Sequence, residues 1–518
     1  VSSVKARLAL LFSAAVAVLA FAGCGSGGSS SDLASLAPPK APLFVEAAVQ
    51  PQGSVKSNLE SLAKDVAGVD DLGGLIVSKL ESSAGESGNE VDFEKEVQPW
   101  LGEKAGIFFQ HYDGNNFTGY GVIVQTTDAE AAQSFIDKQA KSGGEPVTDA
   151  SYEGVDYKVQ SSDGTSIGVV GDFLVVAEDE QAFKVAVDAS KGESLADADA
   201  YSNAVDAAPS GSLGDVYVDV GALIKQAGGG VDPQALQVLQ SAGIDPTEAT
   251  ALASVVPGSN QIEIDVSSDL GGETAPSGDA SSLLGSLPGN AFVGLAATGF
   301  GDQLNEAIDS LDAEGVSGTI PPHQLKKGLK QFGFDLEGIA NSLEDAAVFA
   351  VGDSKSSLGG ALVLTAKGSE ASDAVAKAVT VVRAFHVGGV TLLGAKVNGF
   401  AIHSAELGSK PLVVAAKQGR VAIGYGLPAT LQGLSAESGH TLSDSSSYKE
   451  AVAALGSTPI SGFVDGPAAL RLAEALVPRS EQGFQEAKPY LAKASYIAIG
   501  SGSSGDLATA KLIVGVSK

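Results

Sequence analysis

Few residues in this sequence have types and spacings that could do chemistry. Cys24, in "LAFAGCGSGGSSS" (residues 19–31), is the only cysteine. One thiol closes no intramolecular disulfide and makes a poor metal site, so it reads as a point of modification. "GTSIG", residues 164–168, has the G-x-S-x-G spacing of a nucleophile elbow, which needs a strand, a sharp turn and then a helix. Ser166 instead follows the turn-forming "SSDG" and leads into "GVVGDFLVVA", which reads as two strands. "GSGSSG", residues 500–505, spells G-x-G-x-x-G, but the "DLATAKLIVGV" after it has strand character, not the helix that receives a pyrophosphate. These glycines are expected in a hairpin loop. "SLAK", Ser61 to Lys64, has S-x-x-K spacing but lies on an amphipathic helical pattern without partner motifs. His111, His323, His386, His403 and His440 are dispersed, with no H-x-x-x-H pair. Asp197 and Asp199 lack the glycine and closing glutamate of a calcium loop. No catalytic, cofactor-binding or metal-ligating residue is therefore assigned.

The flanks of Cys24 are more informative. Residues 1–7, "VSSVKAR", carry Lys5 and Arg7 and no acid; residues 8–22, "LALLFSAAVAVLAFA", are apolar apart from Ser13. A basic start before a short apolar run is the layout of an export signal, and the run falls short of the roughly 20 residues of a spanning helix. Val1 is expected to mark an alternative start codon, since the chain has no methionine. With Ala22 and Gly23 directly before the cysteine, the arrangement resembles the lipobox of bacterial lipoproteins. Phe21 departs from it, standing where that pattern has Leu or another aliphatic residue. The resemblance implies cleavage of residues 1–23 as a signal peptide and lipidation of Cys24, which would hold the chain to the outer face of the cell membrane. Acyl chains anchor by burying methylenes, and stable attachment takes more than one chain. Residues 24–40, ending in "GSGGSSSDLASLAPPK", are expected to form a flexible tether.

The net charge of −30 bears on partners. So acidic a chain is repelled by nucleic acid and by anionic headgroups, leaving the acyl group as the expected membrane contact. The acids are scattered singly and read as a solvated surface. With one cysteine there is no disulfide framework, so stability must come from packing.

The elements that would position any site are written twice. "GDFLVVAEDEQAFKVAV" from Gly171, "SLADADAYSNAV" from Ser194 and "GDVYVDVGALI" from Gly214 recur in order as "GRVAIGYGLPATLQGL" from Gly419, "TLSDSSSYKEAV" from Thr441 and "ISGFVDGPAAL" from Ile460. Upstream, "APLFVEAAVQPQGSVKSNLESL" parallels "GNAFVGLAATGFGDQLNEAI". Anchors kept in order at nearly constant offset predict two homologous domains, residues 41–266 and 283–518, joined by a linker at 267–282. Within each, short strands separated by turn residues alternate with helical patterns such as Leu59, Leu62, Ala63 and Val66. The fold class expected is α+β, mainly antiparallel sheet with packed helices. Asp197 and Asp444 are expected as helix N-caps, with Tyr201 and Tyr448 packing behind them.

A duplicated layout behind a lipobox resembles a domain-of-unknown-function family of exported bacterial lipoproteins, common in actinobacteria. The likeness rests on the F-V or Y-V-D strand and the S-L-x-D-x-x-x-Y helix start. It implies a surface location and carries no catalytic residues over. The expectation is a non-enzymatic binding or interaction module of the envelope with an unidentified protein or apolar small-molecule ligand. A carrier of lipid or another apolar ligand is the alternative, and a hydrolase would need Ser166 beside a histidine such as His403.

Overall fold

The computed structural model describes residues 32–517 apart from 76, 79–91, 143–145, 229–244, 272–277, 316–320, 332, 395 and 436–439. Cys24 and residues 1–23, expected as a signal, lie outside the described residues. The protein is α+β, helices packed on antiparallel sheet, and its contacts divide it into two units. One runs to Thr274 and takes in Ser503–Ala510; the other is Ala275–Gly502 with Lys511–Ser517.

The first unit contains β1 (Leu43–Ala48), β2 (Leu101–Phe109), β3 (Gly121–Thr126), β4 (Val147–Tyr152), β5 (Val155–Gln160), β6 (Ser166–Val170), β7 (Phe173–Ala177), β8 (Gly214–Asp219), β9 (Thr250–Pro257) and β10 (Gln261–Asp269). Antiparallel pairing orders them β10-β9-β8-β1-β2-β3-β7-β6-β5-β4. Because side chains alternate along a strand, β7 serves two cores. Val175 joins Phe44, Phe108 and Ile123 beneath the helix Glu180–Ala189, while Leu174 and Val176 join Trp100 and Phe135 on the opposite face.

Two expected boundaries are corrected. Residues 32–37 belong to the fold, not to a tether. Asp32–Leu36 is a 3-10 turn, and Leu33, Ala34, Leu36 and Ala37 are buried with Phe44 and Leu195. In a 3-10 turn residues i and i+3 eclipse, so Leu33 and Leu36 enter the core together. The linker also shrinks: β10 extends to Asp269, and a helix, Ser281–Gly285, begins inside residues 267–282. β10 stays paired with β9 through Ser267, Ser268 and Asp269, small polar residues that composition alone gives to a linker.

The second unit contains β11 (Ala291–Ala297), β12 (Leu343–Val351), β13 (Gly359–Ala366), β14 (Val390–Leu392), β15 (Asn398–Ile402), β16 (Leu412–Lys417), β17 (Arg420–Tyr425), β18 (Ile460–Asp465) and all but the last two residues of β19 (Ala494–Ser504). They pair antiparallel in the order β19-β18-β11-β12-β13-β17-β16-β15-β14. One face packs Phe349, Val363 and Phe463 against Leu284, Tyr448 and Leu455. The other packs Leu343, Leu364 and Val421 against Ala371 and Val375 of a long helix, Glu370–Phe385.

Ser194 and Thr441 begin the repeated helix starts. Asp197 accepts hydrogen bonds from the Ser194 N–H (2.9 Å) and hydroxyl (2.7 Å), and Asp444 does the same for Thr441 at 3.0 and 2.7 Å. The aspartates are thus the third residues of capping boxes, not N-caps; Ser194 and Thr441 hold the cap position. Tyr201 packs edge-on to Phe44 and Tyr217, and Tyr448 to Phe463.

Candidate functional site

Among the described residues, none of the sequence motifs is assembled into a reactive site. Ser166 is fully buried at the start of β6, flanked by Val159 and Ala177 on the adjacent strands, and its hydroxyl donates to the Gly164 carbonyl at 3.1 Å. A strand, not a helix, follows it. Gly500 to Ser504 end β19, and Gly505 turns the chain with φ 59°. Lys64 sits on the exposed face of the helix Gly53–Ala67 and pairs with Asp70 at 2.9 Å. His323 lies 3.9 Å from Asp312, while His386 ends the helix Glu370–Phe385. Among the described residues, no three His, Cys, Asp or Glu side chains group so as to hold a metal ion.

The structure does form a cleft of about 660 Å³ in the second unit, within the usual range for small-molecule sites. Its walls come from the chain entering β11, the β12–β13 turn, and the starts of two helices, Leu427–Gly433 and Gly466–Leu476. Both helices carry proline in the first turn, Pro428 and Pro467, where a missing N–H costs nothing. Asp465 caps the second by accepting from Ala468 N–H at 2.8 Å and also accepts from the Ser447 hydroxyl at 3.0 Å. The backbone bends sharply at Gly352, with φ 122°, where an added Cβ would lie 2.8 Å from Leu358 backbone atoms.

Polar groups converge on this space. Asp353 accepts from the Ser357 hydroxyl at 2.9 Å, and that bond, helped by Ser354 and the positive Arg471, holds its carboxyl below the usual range. Lys410 donates to the Leu358 carbonyl at 2.5 Å. Arg471 is exposed at the cleft wall and makes no hydrogen bond or ion pair with the described residues. Leu427, Pro428 and Ala429 supply apolar wall. Two cations, two carboxylates already engaged and an apolar wall suit holding a ligand with a polar or anionic end. Sequence reading passed over Arg471, Lys410 and Asp353 because they lie far apart in the chain and carry no motif. The proline-started helices "GLPATLQG" and "GPAALRLAEAL" were the available signal.

A second feature lies on the sheet face away from Phe349. Leu295, Val348, Leu362 and Ile423 stand in register across β11, β12, β13 and β17. Leu295, Val348 and Ile423 are 44%, 46% and 37% exposed, an apolar row left open to solvent.

Fold and site together define an α+β protein of antiparallel sheets with an open cleft of mixed polarity. The chain belongs to the family described as Protein of unknown function (DUF3352), whose model matches residues 4–512. No curated protein matches it. Two solved structures show limited similarity. Crystal form III of TP0453 has a TM-score of 0.22 at 10% identity over 46% of this chain and 80% of that chain. Crystal form I of TP0453 has a TM-score of 0.16 at 8% identity over 78% and 97%.

Proposed function

We propose that this protein is a lipid-anchored, extracytoplasmic binding module, held to the membrane through Cys24 and taking a small ligand in the cleft of its second unit. The observation that carries the binding role is the 660 Å³ cleft with Arg471 at its wall. The anchor rests on the basic-then-apolar start and the small residues before the lone cysteine. The chemistry is retention of a ligand, without turnover.

The module is built by duplication. Strand β1 lies between β8 and β2 as β11 lies between β18 and β12, and the succession β2-β3-β7-β6-β5-β4 is repeated as β12-β13-β17-β16-β15-β14. The capping boxes at Ser194 and Thr441 and the aspartate N-caps Asp219 and Asp465 fall at matching places. We read this as support for two homologous domains, with the first beginning at Asp32.

A second reading, a carrier of lipid or another apolar ligand, is favoured by the open row of Leu295, Val348 and Ile423. Native mass spectrometry of the full chain, purified from an envelope extract without detergent, separates the two. A retained mass lost in Gln432→Trp, whose indole intrudes into the cleft, supports the binding module. A retained organic-soluble mass lost in Val348→Ser supports the carrier. A retained mass that survives both substitutions contradicts both sites.

A further inference from the structure

We propose that the cleft of the second unit selects small amphipathic anions, holding a carboxylate or phosphate group between Arg471 and Lys410. This rests on the cleft being a ligand site and adds the class of ligand it takes. Arg471 makes no hydrogen bond or ion pair with the described residues, yet its charge reaches Asp353 at the β12–β13 turn. Lys410 has three donors and uses one, on the neutral carbonyl of Leu358 in the same turn, at 2.5 Å. Both cations line the cleft beside that turn. The acids there are turned to protein donors. Asp465 has one oxygen on the Ala468 N–H at 2.8 Å and the other on the Ser447 hydroxyl at 3.0 Å. Asp353 accepts from the Ser357 hydroxyl at 2.9 Å. Leu427, Pro428 and Ala429 give the rest of the ligand an apolar wall.

The first unit carries a different charge at the matching places. Phe108 pairs with Gly121, Gly121 with Ala177 and Ala177 with Ser166, as Phe349 pairs with Ala361, Ala361 with Gly424 and Gly424 with Val413. Three residues before Ser166 and Val413 stand Asp163 and Lys410, and directly after Ala177 and Gly424 stand Glu178 and Tyr425. Six positions past the N-caps Asp219 and Asp465 stand Lys225 and Arg471. The cation on the helix is kept, while two acids give way to a lysine and a tyrosine. Asn290 runs the other way, standing where the first unit has the exposed Lys40. Those two positions each lie three residues past a matched backbone acceptor, Leu287 and Ala37.

In the first unit the two acids lie together. Burial, and then the charges of Glu178 and Asp163, raise the Tyr120 phenol. A place that is acidic in one unit is thus cationic in the other. Charge placed this way selects among ligands by attracting one sign and repelling the other. At physiological salt, charges further away than about 8 Å are largely screened. A bound anion therefore meets Arg471 and Lys410 rather than the net charge of the chain.

The test titrates the full chain carrying Cys24→Ala, purified without detergent, with hexanoate, hexyl phosphate, hexanol and hexylamine, followed by calorimetry. The two anions should bind, and the tighter of them tells carboxylate from phosphate. Hexanol should bind at least about tenfold more weakly, the difference one charge-assisted contact makes. Arg471→Gln, at an exposed position, should weaken both anions about tenfold and leave hexanol unchanged. Lys410→Asp, which installs the first unit's residue, should abolish anion binding. Hexanol or hexylamine binding as tightly as the anions, and lost in Gln432→Trp, would overturn the selectivity while the cleft stands as a ligand site. Anion binding that survives both Arg471→Gln and Lys410→Asp would overturn it too, because the anions would then sit elsewhere. Binding of none of the four probes would also overturn it. The cleft itself then falls only if no retained mass is lost in Gln432→Trp.

Discussion

Leu36→Ala tests whether the fold begins at Asp32 or only after Lys40. Leu36 is 1% exposed and packs in the same cluster as Phe44, Phe108, Leu195 and Tyr201. Replacing a buried leucine by alanine removes its transfer energy and leaves a cavity, together costing about 2–5 kcal/mol. The strands carrying Phe44 and Phe108 pair directly with each other, so collapse onto the gap is limited and a value near ~3 kcal/mol is expected. For a unit of this size that lowers the melting temperature by about 6–12 °C. Trp100 reports the first unit alone, so thermal unfolding followed by its fluorescence reads the effect directly. Lys40→Ala, at an exposed position, serves as the control and should change stability by less than about 0.5 kcal/mol. If Leu36→Ala melts with the control, residues 32–37 are a tether after all and the burial argument fails.

Other expectations follow from the same structure. Ser194→Ala and Thr441→Ala each remove a cap hydroxyl and should cost about 1 kcal/mol in their own units, measured by urea denaturation. Burial pushes the Tyr448 phenol up to about 12, whereas in the unfolded chain it ionises near its ordinary value. Its contribution is complete below pH 10 and is lost as pH rises from 10 toward 12, so Tyr448→Phe should flatten the fall in stability over that window. Cys24→Ala should release the protein from the membrane fraction, and retention of this variant in the pellet would contradict the anchor.

The sequence was most legible where local pattern and tertiary packing agree. Short apolar runs such as "FLVVA" set between turn residues such as "SSDG" foretold antiparallel strands, and the α+β class follows from them. The strand that runs from Ser166 was readable for the same reason. Boundaries were less legible, because composition speaks for the average of a segment and not for single side chains. "SLAPPK" reads as linker, yet Leu36 and Ala37 within it are core. The cleft was not legible: Asp353, Lys410 and Arg471 come from three separate stretches and meet only through sheet order.

The central claim, a binding protein anchored through Cys24, is tested most directly by the intact mass of the chain isolated from the envelope. The account predicts a protein that begins at Cys24, lacks residues 1–23 and carries the added mass of acyl chains on that residue. A chain that begins elsewhere, or that retains an unmodified Cys24, would contradict it.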